Sequence, residues 1–255
     1  MEPQPLDARQ ELAALAHGLR HAVQRVERRG RLRTPVAVAE TQQGSHGELI
    51  GEAASLARPE SAAVPTAADE QLDLAGLREA VAACQACELC QTRTQTVFMD
   101  GDGSARVLFV GEAPGQTEDE RGVPFVGPAG KLLTDIIEKG MGLKRSHVAI
   151  ANVLKCRPPG NRDPQVSEKA ACTPWLERQI ELLDPLVVIA LGRHAAGYLL
   201  NSDAPLGRMR GRVKDWKGRK LVATYHPAFL LRSPGFKPEC WQDIQLAMAV
   251  LNDPQ

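Results

Sequence analysis

The sequence predicts an α/β protein, a parallel sheet covered by helices on both faces, within one domain of about 180 residues. Three observations carry this. Short β-branched or Leu-rich runs recur from residue 107 onward, each closing near Gly, Pro or a polar cluster. Helix-like segments separate them. The runs are apolar throughout rather than alternating, as in strands buried on both sides.

Taken in order, residues 1–73 stand apart. Leu12, Leu15, Leu19, Val23 and Val26 recur at spacings of three and four, which predicts one amphipathic helix over 6–29. From 30 to 73, Ala, Gln, Glu, Ser and Pro dominate without period, so this stretch is expected to be a disordered linker. From 74 onward the expected strands are 107–110, 148–153, 186–190 and 221–224. The expected helices are 75–84, 129–140, 167–183, 193–200 and 239–251. Ser167-Glu168 suits a helix start, and Asp184-Pro185 is a stop. Ligands of such sheets bind outside the carboxyl ends of the strands. Three polar clusters fall there: 111–115 after the first strand, Asn152 near the end of the second, and His226-Pro227 after the fourth.

Composition narrows the function classes. The longest apolar runs fall far short of the ~20 residues a membrane span needs, and the N-terminus lacks a secretion signal. A cytoplasmic, nucleoid-associated protein without membrane contact is expected, and a single domain with a single site suggests a monomer. Net charge is zero, yet 1–75 hold 8 Arg against 11 acids, whereas 76–255 hold 23 Lys and Arg against 20 acids. From 208 to 220, seven of thirteen residues are basic. Such a stretch suits phosphate contact, or equally a solvated hairpin.

Six cysteines in a reducing compartment argue for metal or redox chemistry rather than disulfides. Cys84-x2-Cys87 precedes the first strand, and Cys156 and Cys172 follow the second. Four thiolates suffice for tetrahedral zinc or for a 4Fe-4S cluster, and spacing does not choose between them. Cys90 extends the first pair to C-x2-C-x2-C, but the C-x3-C-P element of a ferredoxin is missing. Cys90 and Cys240 read as small buried or partly exposed thiols.

Three long motifs then stand in order: GEAPGQTEDERGVPFVGPAG over 111–130, ANVLKCRPPGNRDP over 151–164 and YHPAFLLR over 225–232. Together they resemble the family 4 uracil-DNA glycosylases, from 74 to about 250. The resemblance implies a three-layer α/β/α fold around a four-stranded parallel sheet, and hydrolysis of the N-glycosidic bond of deoxyuridine in single- or double-stranded DNA. It also implies a 4Fe-4S cluster on Cys84, Cys87, Cys156 and Cys172. A covalent-trapping branch of the superfamily carries Gln after the motif Glu and a basic insertion with a nucleophilic His. Here Ala113 follows Glu112 and no insertion precedes Cys156, so an ordinary hydrolase with turnover is expected.

Uracil must leave as an anion while the sugar passes through a cationic state, so the site needs a carboxylate on one side and donors on the other. Glu112 is the first candidate for the carboxylate that handles water, with Glu118 second or lining the uracil pocket. By position in the motifs, Asn152 would read the uracil edge, Phe125 would stack on the extruded base, Ala113 would line the pocket, and His226 would donate to O2. Phe229, Leu230 and Leu231 form an apolar wedge beside Arg232 that suits insertion into the base stack. A Leu pair opening a helix is the competing reading. Arg157, Arg162 and Arg232 suit backbone phosphates. A catalytically silent iron-sulfur nucleic-acid-binding module is the alternative class, although it needs no combination of Glu112, Asn152, Phe125 and His226. A small-molecule hydrolase of the same fold is a third, and it would show no preference for DNA.

Overall fold

Strand β1, Val107–Gly111, is buried along its whole length and lies inside the sheet with a parallel neighbour on each side. The computed structural model describes residues 72–253, so the expected helix over 6–29 and nearly all of the linker lie outside the described residues. Helix α1, Leu74–Ala83, opens the described chain, with the Asp73 carboxylate accepting from the Gly76 amide at 2.8 Å as its N-cap. Next come β1, a short helix α2 (Gln116–Arg121), α3 (Pro128–Asp135, prolonged by a π turn to Gly140) and β2, Ala149–Asn152. Helix α4, Val166–Leu183, leads to β3, Val187–Leu191, and then to α5, Arg193–Leu200. The chain finishes with α6 (Leu206–Met209), β4 (Val213–Trp216), β5 (Arg219–Thr224), α7 (Pro227–Arg232) and α8 (Lys237–Asn252).

The strand order is β2-β1-β3-β5-β4, with every pairing parallel except β4 on β5. The sheet therefore has a fifth, antiparallel strand where four parallel ones were expected. Its sequence, Val213-Lys-Asp-Trp216, is only half-buried, because an edge strand has one neighbour and needs no continuous apolar run. The basic stretch 208–220 is thereby a hairpin whose charges are largely spent within the fold: Arg210 on Glu239 and Asp243, Lys217 on Glu177, Arg219 on Asp184 and Lys220 on Asp215.

Alternate residues of each strand face opposite layers. Leu108 and Val110 join Val188 and Leu221 against Leu77, Trp175, Leu176 and Ala196, from α1, α4 and α5. Val107 and Phe109 join Ile189 and Val222 against Leu133, Ile137 and Ile244, from α3, its π turn and α8. This is the three-layer arrangement the sequence predicted. Helix α4 begins at Val166 rather than 167, because the Gln165 side chain caps it while the Glu168 carboxylate returns to the Gln165 amide at 2.8 Å, a capping box.

Topology also places the ligand site. From β1 the chain moves outward to β2, and from β2 it crosses back to the other side of β1 to form β3. The loops leaving β1 and β3 diverge at their carboxyl ends, which is the switch point where such sheets open a crevice.

Candidate functional site: a cleft over the strand ends

The crevice is a cleft of about 540 Å³, lined among others by Glu112, Ala113, Glu118, Phe125, Asn152, His194 and His226. Glu112, Ala113 and Asn152 enter it directly from the ends of β1 and β2. Gly111 and Asn152 are register partners, and a side chain at 111 could not be accommodated: a Cβ there would sit 2.3 Å from Asn152 Oδ1 and 2.6 Å from Phe125 Cζ. The glycine lets an amide and an aromatic ring share the strand end.

Asn152 is 2% exposed, and its Oδ1 is buried without a hydrogen-bond partner. An orphaned buried acceptor is costly, typically about 1–3 kcal/mol, and marks a place where a ligand donor belongs. Phe125 lies beside it in the left-handed region, at φ 54°. That conformation is held from two sides. Glu118 Oε1 accepts from the amides of Val126 and Gly127, both at 2.9 Å. Behind the loop, Arg145 donates to the Pro124 carbonyl at 2.9 Å while pairing with Asp100. The Glu118 carboxylate thus serves the first turn of α3, whose N-cap Gly127 has no side chain to do so.

His226 faces Phe125 with ring centroids 5.6 Å apart. It caps α7, its Nδ1 accepting from the Ala228 amide at 3.1 Å. Desolvation pulls its pKa down to about 4, and the Arg232 cation pushes the same way. The imidazole is therefore neutral at physiological pH. With Nδ1 used as an acceptor, the proton resides on Nε2. Glu112 is shifted oppositely: burial raises its carboxyl above the usual range, and the neighbouring His194 is the largest opposing influence.

The remaining site candidates divide. Leu230 is fully buried in the core below α7, so it is not an insertion wedge. The helical periodicity of α7 turns one Leu of the pair inward and leaves Leu231 47% exposed. Arg232 lines the cleft. Arg162 also lines it, but forks onto both oxygens of Glu168, so its charge is committed to the start of α4. Arg157 donates to Asn161 Oδ1 at 2.8 Å within the same loop.

Among the cysteines, Cys156 and Cys172 are buried, and Cys84 and Cys87 pack against the same core cluster. They stand close enough to perturb one another: Cys156 feels Cys87 and Cys84, and Cys172 feels Cys156 and Cys87. Burial pushes the Cys156 thiol up to about 11 and the Cys172 thiol up to about 12. Two N–H groups already point at sulfur. Arg93 Nη1 lies 3.2 Å from Cys156 Sγ, and the Lys155 amide 3.2 Å from Cys172 Sγ. Cys240 is buried in the opposite layer, whereas Cys90, partly exposed like Cys84 and Cys87, stands near enough to Cys87 to act on it.

Two titratable cleft residues escaped the sequence reading. His194, at the start of α5, and Asp163, in the loop before α4, flank Glu112. A signal for His194 was present, since it stands only three residues past the end of the third strand.

Cleft and topology together define the class: an α/β protein with a cleft of ligand size above the switch point of its sheet. The chain belongs to the Uracil DNA glycosylase superfamily, whose profile matches residues 98–245. It is 42% identical to a type-4 uracil-DNA glycosylase of Sulfurisphaera tokodaii over 177 residues, covering 66% of this chain and 80% of that one. Against the type-4 uracil-DNA glycosylase of Saccharolobus solfataricus, the identity is 41% over 191 residues, 72% of this chain and 88% of the other. The corresponding protein of Thermotoga maritima is 44% identical over 157 residues, 61% and 81% of the two chains.

Proposed function

We propose that the protein excises uracil from DNA by hydrolysing the N-glycosidic bond of deoxyuridine, leaving an abasic site. The observation that carries this reading is the buried, unpartnered Oδ1 of Asn152 beside the Phe125 ring. Uracil presents N3–H, which Oδ1 can accept, next to O4, which can accept from the same amide. Cytosine presents an unprotonated N3 and an amino group, so it would leave both sides of the amide unpaired. A site built this way rejects the wrong base strongly. Phe125 provides the face on which a base turned out of the duplex would stack.

Chemistry divides between two walls. As the C1′–N1 bond breaks, its electron pair passes to the uracil ring, and the neutral His226 donates from Nε2 to O2 as negative charge gathers there. On the sugar side, ionised Glu112 steadies the cationic sugar and orients water. The water oxygen bonds to C1′, and its proton passes to the Glu112 carboxylate. Glu118 is a positioning residue that holds the Phe125 loop. Leu231 and Arg232, at the rim, suit the gap and the flanking phosphate.

The four-cysteine site fits a 4Fe-4S cluster held by Cys84, Cys87, Cys156 and Cys172. Its N–H donors aimed at sulfur suit thiolate ligands. When bound, such a cluster would tie the segment before β1 to the loop after β2 and to α4.

Incubating the protein with a labelled oligonucleotide bearing one uracil, then cleaving abasic sites with alkali, tests the reading. Strand breaks at uracil and not at a thymine control are expected, and they should vanish in Asn152→Asp with DNA binding retained. An Asn152→Asp variant as active as the parent would refute the base-reading role.

A further inference from the structure

The side chain that most constrains Glu112 is one that base recognition does not use. His194 stands between two carboxylates, its Nδ1 3.9 Å from Glu112 Oε1 and its Nε2 3.5 Å from Asp163 Oδ2. The three ligand-type atoms lie within 4.8 Å of one another. Each side chain comes from a different strand end: Glu112 follows β1, Asp163 lies in the loop after β2, and His194 follows β3. Gly192, at φ 89°, makes this possible, because it turns the chain from β3 into α5 where an ordinary residue would be strained.

We infer that His194 is a positioning residue for the water-handling carboxylate: its imidazolium, anchored by Asp163, holds Glu112 ionised and facing the sugar side of the cleft. The inference rests on the proposed role of Glu112 and extends it to what keeps that role available. Glu112 is shielded from water by the cleft, which favours its neutral form, whereas the step needs the carboxylate.

The other charges facing Glu112 do not substitute for it. Lys169 on α4 and Arg193 on α5 also favour the carboxylate but act more weakly than His194, and Asp163 opposes it. Glu118 is engaged with the Val126 and Gly127 amides, Arg162 with Glu168, and Arg232 acts on His226 from the opposite wall. Both partner distances exceed hydrogen-bonding length, so the contact is an electrostatic clamp rather than a proton wire.

The test is the single-turnover rate of uracil release against pH for the holoenzyme, His194→Ala, His194→Gln and Glu112→Gln, with thermal melts alongside. Without the cation, the acid limb of the profile should move toward neutrality by about one pH unit in both His194 variants. The alkaline plateau should stay within about threefold of the parent. At a pH on that limb the loss approaches tenfold. A limb that stays in place, or a loss equal at every pH, overturns the inference and assigns His194 to packing. Glu112→Gln separates this from the underlying reading. If Glu112→Gln releases uracil at the parental rate, the role of Glu112 fails, and the inference fails with it. If that variant is inactive while the His194 variants keep the parental limb, only the inference fails.

Discussion

Lys155 Nζ donates to the backbone carbonyl of Asn152 at 2.7 Å, from a side chain that is 1% exposed. The same ammonium binds Gln179 Oε1 on α4, and the Gln179 amide in turn reaches the Phe98 carbonyl at 3.1 Å. Burial pulls the lysine down to about 8, with the neighbouring Cys172 and Cys156 opposing the shift. One buried cation thereby joins the residue that would read the base, the longest of the described helices and the cysteine site. Its proximity to two prospective thiolate ligands accounts for a charge that would otherwise be expensive at such depth.

Lys155→Met keeps the volume and removes the donor. It leaves the Asn152 carbonyl and Gln179 Oε1 buried without their partner, at a cost of about 2–4 kcal/mol. Urea unfolding should show that loss, and uracil release should weaken together with stability. Unchanged stability would mean that water replaces the ammonium.

Gly111→Ala aims a methyl at Asn152 Oδ1 and the Phe125 ring, both closer than a Cβ tolerates. The rigid strand cannot yield, so the amide and ring must. A displacement near 1 Å costs about 100-fold in catalysis. Rates should fall by that order while the far-ultraviolet dichroism stays parental.

Glu118→Ala frees two amides at the start of α3 and releases the loop that holds Phe125 at positive φ. We expect a loss of about 2 kcal/mol in stability and of about 10–100-fold in kcat/KM, with Glu118→Gln milder because an acceptor oxygen remains. A Glu118→Gln variant as impaired as Glu118→Ala would instead require the carboxylate charge itself.

His226 links stability to pH in a defined direction. The unfolded imidazole takes its proton near 6.5, the folded one only near 4. Between those values the unfolded chain binds more protons, so stability falls as pH drops through 6.5 and levels off below 4. Allowing for the ring's partial exposure, this amounts to about 2 kcal/mol. His226→Asn retains a helix-capping side chain and should lack that contribution, so the difference in unfolding free energy between it and the parent should shrink from pH 7.5 to 4.5. At neutral pH the same variant should lose about 100–1,000-fold in kcat.

Cys172→Ser removes one proposed ligand without removing a core methylene. Visible absorption of the purified protein should fall and melting temperature should drop, because binding to the folded state alone is part of its stability. Retained colour with four equivalents of iron would shift the fourth ligand to another residue, Cys90 being nearest in sequence to the first pair.

The sequence by itself determined the layered α/β class, the four parallel strands and the three motif clusters at strand ends. Buried parallel strands must read as unbroken apolar runs, and the motifs supply site residues in contiguous stretches. The roles within those stretches were legible only in part. Glu118 reads in sequence as a second acid for chemistry, and only the fold turns it onto the amides of α3. Leu230 and Leu231 are equivalent in sequence, and the pitch of α7 buries one and exposes the other. The antiparallel edge strand was hidden among basic residues because an edge is exempt from the burial that makes strands recognisable. The grouping of Glu112, Asp163 and His194 had no local signature at all. It arises because the chain crosses from β2 over β1 to β3, which brings three strand ends to one crevice from positions 51 and 31 residues apart along the chain, and no periodicity records a contact that only the crossover creates.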